Sequence, residues 1–287
     1  MRIDLHTHSD RSDGTQSPAE VIASAVAAEL DVVALTDHDT TSGWDEAVAA
    51  LREHPGLRLI TGTEVTARMA RPGTWGIPVH LLSYLQNPDH PELLELLELN
   101  LNSRQRRIGL MVERLQQDFP ITEELVFEQV APGATVGRPH VADTLVHLGV
   151  VAERSQAFEQ LLAPGSPYYV PTPSPLATDV VRAIRAAGGV AVIAHPAARE
   201  RGYILDDDEI ATLAAAGLQG LEVYHRDHEA GDRQRLLRLA EELGLFVTGS
   251  SDYHGAGKPN RLGENLTAPE VLDQIIDLGW GPVYGPN

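Results

Sequence analysis

Imidazole and carboxylate side chains recur at regular intervals in a 287-residue chain that contains no cysteine. His6 and His8 flank Thr7, and Asp13 follows in the run SDRSDG. His38 lies in TDHD, Glu64 in GTE, His80 at the start of HLLSY, His195 in AHP, and Asp252 and His254 in SDYHG. Side chains two apart on a strand point the same way. If the apolar start Met1–Leu5 runs on as a strand, His6 and His8 leave its end side by side, placed to share one metal ion. Imidazole plus carboxylate without thiolate suits Mn²⁺, Fe²⁺ or Zn²⁺. The set exceeds what one ion needs, which implies at least two. Clustered divalent ions can supply hydroxide at neutral pH and neutralise the charge developing on a phosphate ester.

These residues need elements that bring them together. Up to residue 90, apolar strand-like runs alternate with amphipathic helices, the pattern of βα units around a parallel sheet or barrel. Ser17-Pro18-Ala19-Glu20 is a helix start, with Ser17 as N-cap, proline at the first position and Glu20 closing a capping box. Strands are expected at 1–5, 32–35, 57–60 and 79–84. From 91 to 173 no convincing strand appears, and Leu93, Leu97, Leu101, Ile108, Val112 and Leu115 fall near helical spacing, which predicts one long helix over 92–118. Shorter helices are expected at 122–130, 139–148 and 153–162. A proline-rich stretch over 164–175 reads as a boundary. Alternation then resumes, with strands at 190–194, 220–223 and 246–248 and helices between and after them. Residues 1–90 and 174–287 therefore read as one α/β domain, with 91–173 as a helical insertion or cap. Each candidate ligand is expected near a C-terminal strand end, where the side chains of a parallel barrel converge on one cleft.

A lone His-x-His pair carries a high false-positive risk. The recurrence at five strand ends carries the reading. Other candidates have competing explanations. Arg104 and Arg107 share a helix face and are either a solvated stripe or a clamp for a substrate phosphate. Arg138 and His140 flank a proline at a helix start, where backbone donors and a guanidinium can cradle phosphate. Asp37 either orients a metal-bound histidine or water, or caps a strand end. His225 ends the strand LEVYH, facing the cleft, and could protonate a leaving oxygen or touch a base. His228 reads as the solvent-exposed start of a helix, and His54, His90 and His147 as surface or packing residues. Lys258 and Arg261 are either phosphate contacts or loop charges, and are read here as loop charges.

Net charge is −19, so the chain lacks the basic surplus of proteins that grip long duplex nucleic acid. Three bound ions would bring about +6, making a cationic site inside an acidic protein. No apolar run approaches the roughly 20 residues of a membrane helix, and the N-terminus lacks a signal-peptide layout. The absence of cysteine excludes disulfides and thiolate chemistry. A soluble cytoplasmic protein is the expectation.

Taken together, DLHTHSDRSDGT, ALTDHDT, GTEVTA, the HL of VHLLSY, AHP and SDYHG resemble the motifs of the PHP (polymerase and histidinol phosphatase) metallophosphoesterases, in order and over both ends of the chain. The resemblance implies a distorted (β/α)7 barrel with a trinuclear metal centre, most readily of Mn²⁺. It implies that His6, His8, Glu64 and Asp252 hold one ion, that Glu64 bridges to a second held by His80 and His195, and that Asp13, His38 and His254 hold a third. Within the insertion, SRQRRI, TVGRPH and YYVP resemble the branch that dephosphorylates 3′,5′-nucleoside bisphosphates, some members of which trim short RNA from the 5′ end. The leading expectation is removal of the 3′-phosphate from a small bisphosphorylated nucleotide, pAp to AMP, by a metal-bridging hydroxide. A 5′→3′ exoribonuclease, a histidinol-phosphate phosphatase and a non-catalytic metal-binding module are the alternatives.

Overall fold

Seven apolar runs pair in chain order to form one sheet. They are β1 (Ile3–Thr7), β2 (Val32–Leu35), β3 (Arg58–Met69), β4 (Ile77–Tyr84), β5 (Val190–Ile193), β6 (Gly220–Tyr224) and β7 (Phe246–Gly249). The computed structural model describes residues 1–74, 76–199 and 204–286. The sheet curls into a nearly closed barrel, because His8 N donates to Tyr253 O at 2.8 Å and Thr7 bridges Tyr253. The short strands are buried along almost their whole length, as expected when helices cover the outside and side chains fill the inside.

The sheet departs from the all-parallel expectation at β4. This strand runs antiparallel to both β3 and β5, since β3 turns directly into β4 as a hairpin with no crossover helix. β3 is also longer than the four residues expected. Arg58–Thr61 pair with β2, and Gly62–Met69 pair with β4. Glu64 therefore sits inside a strand rather than beyond its end. The reversal puts the first half of β4, with His80, at the same end of the barrel as the C-termini of the parallel strands.

The helices cover the barrel in the expected order. α1 (Pro18–Ala27) carries the Ser17–Glu20 capping box, and α2 (Trp44–Ala50) follows β2. α3 (Pro91–Leu115) belongs to two cores. Leu93 and Leu97 join the cluster of Val79 and Leu81 on β4 and Val181 on the helix that follows the insertion. Ile108, Met111, Val112 and Leu115 pack instead with residues of the insertion. α4 (Glu123–Phe127), α5 (Arg138–His147) and α6 (Arg154–Ala157), the last continued by one π-helical turn over Phe158–Leu162, complete that second cluster. α7 (Ala177–Ala186), α8 (Asp207–Ala216), α9 (Ala230–Leu243) and α10 (Pro269–Leu278) close the outer layer.

Candidate metal centre

The loop after β1 folds back so tightly at Gly14 that a Cβ there would stand 2.5 Å from the His8 carbonyl oxygen. That turn brings Asp13 over the end of β1. Beyond β2 the ladder continues through His38, which bridges Glu64, with Asp39 N donating to Glu64 O at 3.1 Å. The pairing explains how a mid-strand glutamate reaches the ligands at the strand ends. Asp39, His195 and Asp252 follow β2, β5 and β7 with φ of 55°, 32° and 54°. Such left-handed backbone costs non-glycine residues about 1–3 kcal/mol and persists where surrounding contacts over-determine it.

Ligand atoms converge around Glu64. Its Oε1 lies 2.9 Å from His80 Nδ1 and 3.0 Å from His195 Nε2. Its Oε2 lies 3.2 Å from His6 Nε2, 3.1 Å from His8 Nε2 and 3.2 Å from His38 Nδ1. Asp252 Oδ1 stands 3.4 Å from His6 Nε2 and 3.3 Å from His8 Nε2. Asp13 Oδ1 lies 3.1 Å from His254 Nε2 and 3.8 Å from His8 Nδ1, and its Oδ2 lies 3.8 Å from His38. Three overlapping groups have their ligand atoms within 4.8 Å of one another: His6, His8, Glu64 and Asp252; His8, Asp13, His38 and His254; and His38, Glu64 and His80. Their overlap at His8, His38 and Glu64 makes this one continuous cluster.

The donor chemistry fits bound cations. His38 Nδ1 and His254 Nε2 are buried and make no hydrogen bond. Burial pushes the pKa of His38 well below the usual imidazole range, and burial with the charge of Lys258 pushes His254 down to about 4. Both shifts favour the neutral ring, the form that ligates metal. Burial would raise the carboxyls, but His38, His6 and His80 hold Glu64 well below the carboxylate range, and His254, His38 and His8 do the same for Asp13. Burial likewise opposes charge on the remaining pair. Even so, Glu64, Glu222 and Asp252 push His6 well up, and the Asp252, Glu64 and Asp13 carboxylates push His8 to about 9. A metal ion would replace the protons on these two rings.

Supporting groups hold the candidate ligands. Asp37 does not reach the cluster; it accepts from Ser9 N at 2.8 Å, Ser9 Oγ at 2.6 Å and Ser12 Oγ at 2.6 Å. It therefore fixes the loop that carries Asp13, and Ser12 Oγ in turn lies 3.4 Å from His8 Nδ1. Glu222, on β6, was not anticipated from the sequence. Its Oε1 accepts from His6 Nδ1 at 3.0 Å and from Ser250 Oγ, and its Oε2 accepts from His195 N at 2.7 Å. An inward-facing acidic residue in the otherwise apolar strand GLEVY was the available signal.

His225 is buried at the end of β6, with its ring 5.5 Å from that of His195 and Nε2 3.7 Å from Asp252 Oδ2. His228 is not in solvent. It is buried, donating from Nδ1 to Val223 O at 2.9 Å and accepting at Nε2 from Ala197 N at 3.2 Å. It folds inward because these two backbone groups need partners. Lys258 is not a free loop charge either, since Nζ donates to Asp252 Oδ2 at 3.0 Å.

The four insertion residues separate into different environments. Arg104 reaches back to the barrel, donating to Asp39 Oδ2 at 2.8 Å and Thr66 Oγ1 at 2.6 Å. Arg107 donates to Val170 O at 2.7 Å and lies 5.3 Å over the Tyr169 ring. Arg138 lies 5.3 Å over Phe158 and 5.9 Å over Tyr169. Burial and the neighbouring charge of Arg138 push Arg107 down to about 9. His140 is buried, with Nδ1 accepting from Gly137 N at 3.0 Å.

The chain is similar to several known proteins. Residues 4–161 match the PHP domain family. The chain is 35% identical to a 3′,5′-nucleoside bisphosphate phosphatase of Chromobacterium violaceum, over 95% of this chain and 94% of the relative. It is 32% identical to a 5′-3′ exoribonuclease of Haemophilus influenzae, over 96% and 97% of the two chains. A crystal structure of a Bifidobacterium adolescentis protein, described by inference as a metal-dependent phosphoesterase, superimposes with a TM-score of 0.91 at 44% identity, covering 96% of each chain. No described helix is long and apolar enough to cross a membrane.

Proposed function

Because this chain belongs to the PHP domain family and is a metal-dependent phosphoric ester hydrolase, we propose that its substrate is a small 3′,5′-bisphosphorylated nucleotide such as pAp. Water replaces the 3′-oxygen on phosphorus, so that one P–O bond forms, the ester P–O bond breaks, and AMP and phosphate leave. The observation that carries the reading is Arg107. Its guanidinium is pressed against Tyr169 beside Arg138, and among the described residues no carboxylate lies within ion-pair distance of it. A desolvated guanidinium with no carboxylate beside it suits a phosphate that is bound but not cleaved.

Residues 91–173 act in this reading as a cap over the barrel mouth. Arg104 anchors it on Asp39, and Arg107, Arg138 and His140 face the second phosphate. Three divalent ions, with Mn²⁺ first among the candidates, would be held by His6, His8, Asp13, His38, Glu64, His80, His195, Asp252 and His254. When bound, they supply hydroxide at neutral pH and balance the charge of the transferring phosphoryl group. His225 supplies a proton to the leaving oxygen. Its Nδ1 accepts from Asp227 N at 3.1 Å, so in the neutral ring the proton resides on Nε2. Asp37 keeps the Asp13 loop in place. Trimming of short 5′-phosphorylated RNA is the second reading, favoured by the full-length similarity to the exoribonuclease.

The test is phosphate release from pAp with Mn²⁺ present, compared with AMP and histidinol phosphate, and a gel of short 5′-phosphorylated RNA alongside. Equal or faster turnover of histidinol phosphate overturns the assignment. Faster degradation of the RNA than of pAp favours the second reading. Asp252→Asn should abolish turnover with the fold retained.

A further inference from the structure

The two oxygens of Asp252 face different surroundings. Oδ1 looks into the ligand cluster, 3.4 Å from His6 Nε2 and 3.3 Å from His8 Nε2. Oδ2 looks away from those rings, accepting from Lys258 Nζ at 3.0 Å with His225 Nε2 at 3.7 Å. Asp252 is buried and its backbone is left-handed, so its carboxylate cannot turn freely. The Lys258 amine reaches it from a partly exposed position six residues on, across the turn Gly255–Gly257. Lys258 is the sole lysine of the chain, so no other ammonium side chain can take its place.

A carboxylate binds a cation through one oxygen or through both. An ion held by both has one fewer position for water or substrate, and catalytic sites keep such a position open. We propose that Lys258 is a positioning residue that engages the outer oxygen of Asp252 and keeps Asp252 a one-oxygen metal ligand. The inference rests on Asp252 being a ligand, as proposed above. It makes a prediction opposite in sign to that of a residue that merely braces the loop. Removing a supporting hydrogen bond ordinarily weakens metal binding. Removing Lys258 releases the outer oxygen from its ammonium partner and takes a positive charge away from the site, and both changes tighten binding.

The experiment is a calorimetric Mn²⁺ titration of the full chain and of its Lys258→Met, Lys258→Arg and Asp252→Asn variants, with steady-state kinetics on pAp. Lys258→Met is expected to bind Mn²⁺ about tenfold more tightly and to turn over about tenfold more slowly, with KM little changed. Lys258→Arg should restore both values towards the parent. Unchanged or weaker Mn²⁺ binding by Lys258→Met, with Asp252→Asn weakened, overturns the proposal while leaving the metal site standing. Unchanged binding by Asp252→Asn overturns the assignment of the ligand itself.

Discussion

Glu222 accepts the Nδ1 proton of His6 at 3.0 Å, and its other oxygen accepts from the backbone of His195 at 2.7 Å. One carboxylate on β6 thus orients two candidate ligands from β1 and β5. An ionised carboxylate can only accept, so it fixes the proton on His6 Nδ1 and directs Nε2 towards Glu64 and Asp252. Burial raises the Glu222 carboxyl, but His6 outweighs it and holds the group well below the carboxylate range. Glu222→Gln should therefore weaken Mn²⁺ binding about 10- to 100-fold while the circular dichroism spectrum is retained. Calorimetric titration checks it, and an unchanged Kd would show that His6 needs no such partner.

Asp39 joins the insertion to the barrel. Its carboxylate accepts from Thr66 N at 2.8 Å, Thr66 Oγ1 at 2.7 Å, Asn100 Nδ2 at 2.7 Å and Arg104 Nε at 2.8 Å. Arg104→Met leaves this buried carboxylate without its counter-charge and should cost about 3 kcal/mol in urea unfolding. The double variant Asp39→Asn/Arg104→Met should lose less than the sum of the two single changes, because the second removes the charge that the first leaves exposed to a low dielectric.

On the proposed reading Arg107 carries affinity for the second phosphate. Burial and the charge of Arg138 push its guanidinium down to about 9, so it is charged at neutral pH. Arg107→Ala should raise KM for pAp about tenfold at pH 7 with kcat little changed, the loss of one charge-assisted hydrogen bond. Arg107→Lys should recover only part of that loss, because an ammonium lacks the two-pronged fork. An unchanged KM in Arg107→Ala would remove Arg107 from the phosphate site.

Asp4 makes stability depend on pH in the mildly acidic range. Burial raises its pKa from 3.8 to about 6, although Gly263 N and Ser251 N donate to it at 2.8 and 3.0 Å. The folded state therefore holds a proton that the unfolded chain has released between about pH 4 and 6. The group's contribution is fully present below the unfolded value and is lost as pH rises through about 6, a change of about 3 kcal/mol. Asp4→Asn cannot titrate. Urea unfolding at pH 4 and pH 7 should show a smaller loss of stability in the variant than in the parent, and equal losses would remove Asp4 as the cause.

The sequence by itself determined the elements and the residue types of the site. Short β-rich apolar runs between amphipathic helices are local patterns, and so is the capping box at Ser17. The bracketing of strand ends by His, Asp and Glu is also visible without coordinates, because chemistry at a barrel mouth must be supplied from those positions. Local pattern could not reveal the direction of β4, which depends on a hairpin closing without a helix, nor that Glu64 lies within β3, which depends on how two strands divide one partner's length. It also could not reveal the partners of long polar side chains. Arg104 reads as either a solvated stripe or a phosphate clamp and meets Asp39; Lys258 reads as a loop charge and meets Asp252; His228 reads as solvent-exposed and is buried between two backbone groups. Each of these pairs joins residues distant on the chain or across a turn, where the nearest unpaired polar group in space decides the partner, and only the tertiary structure decides which group that is.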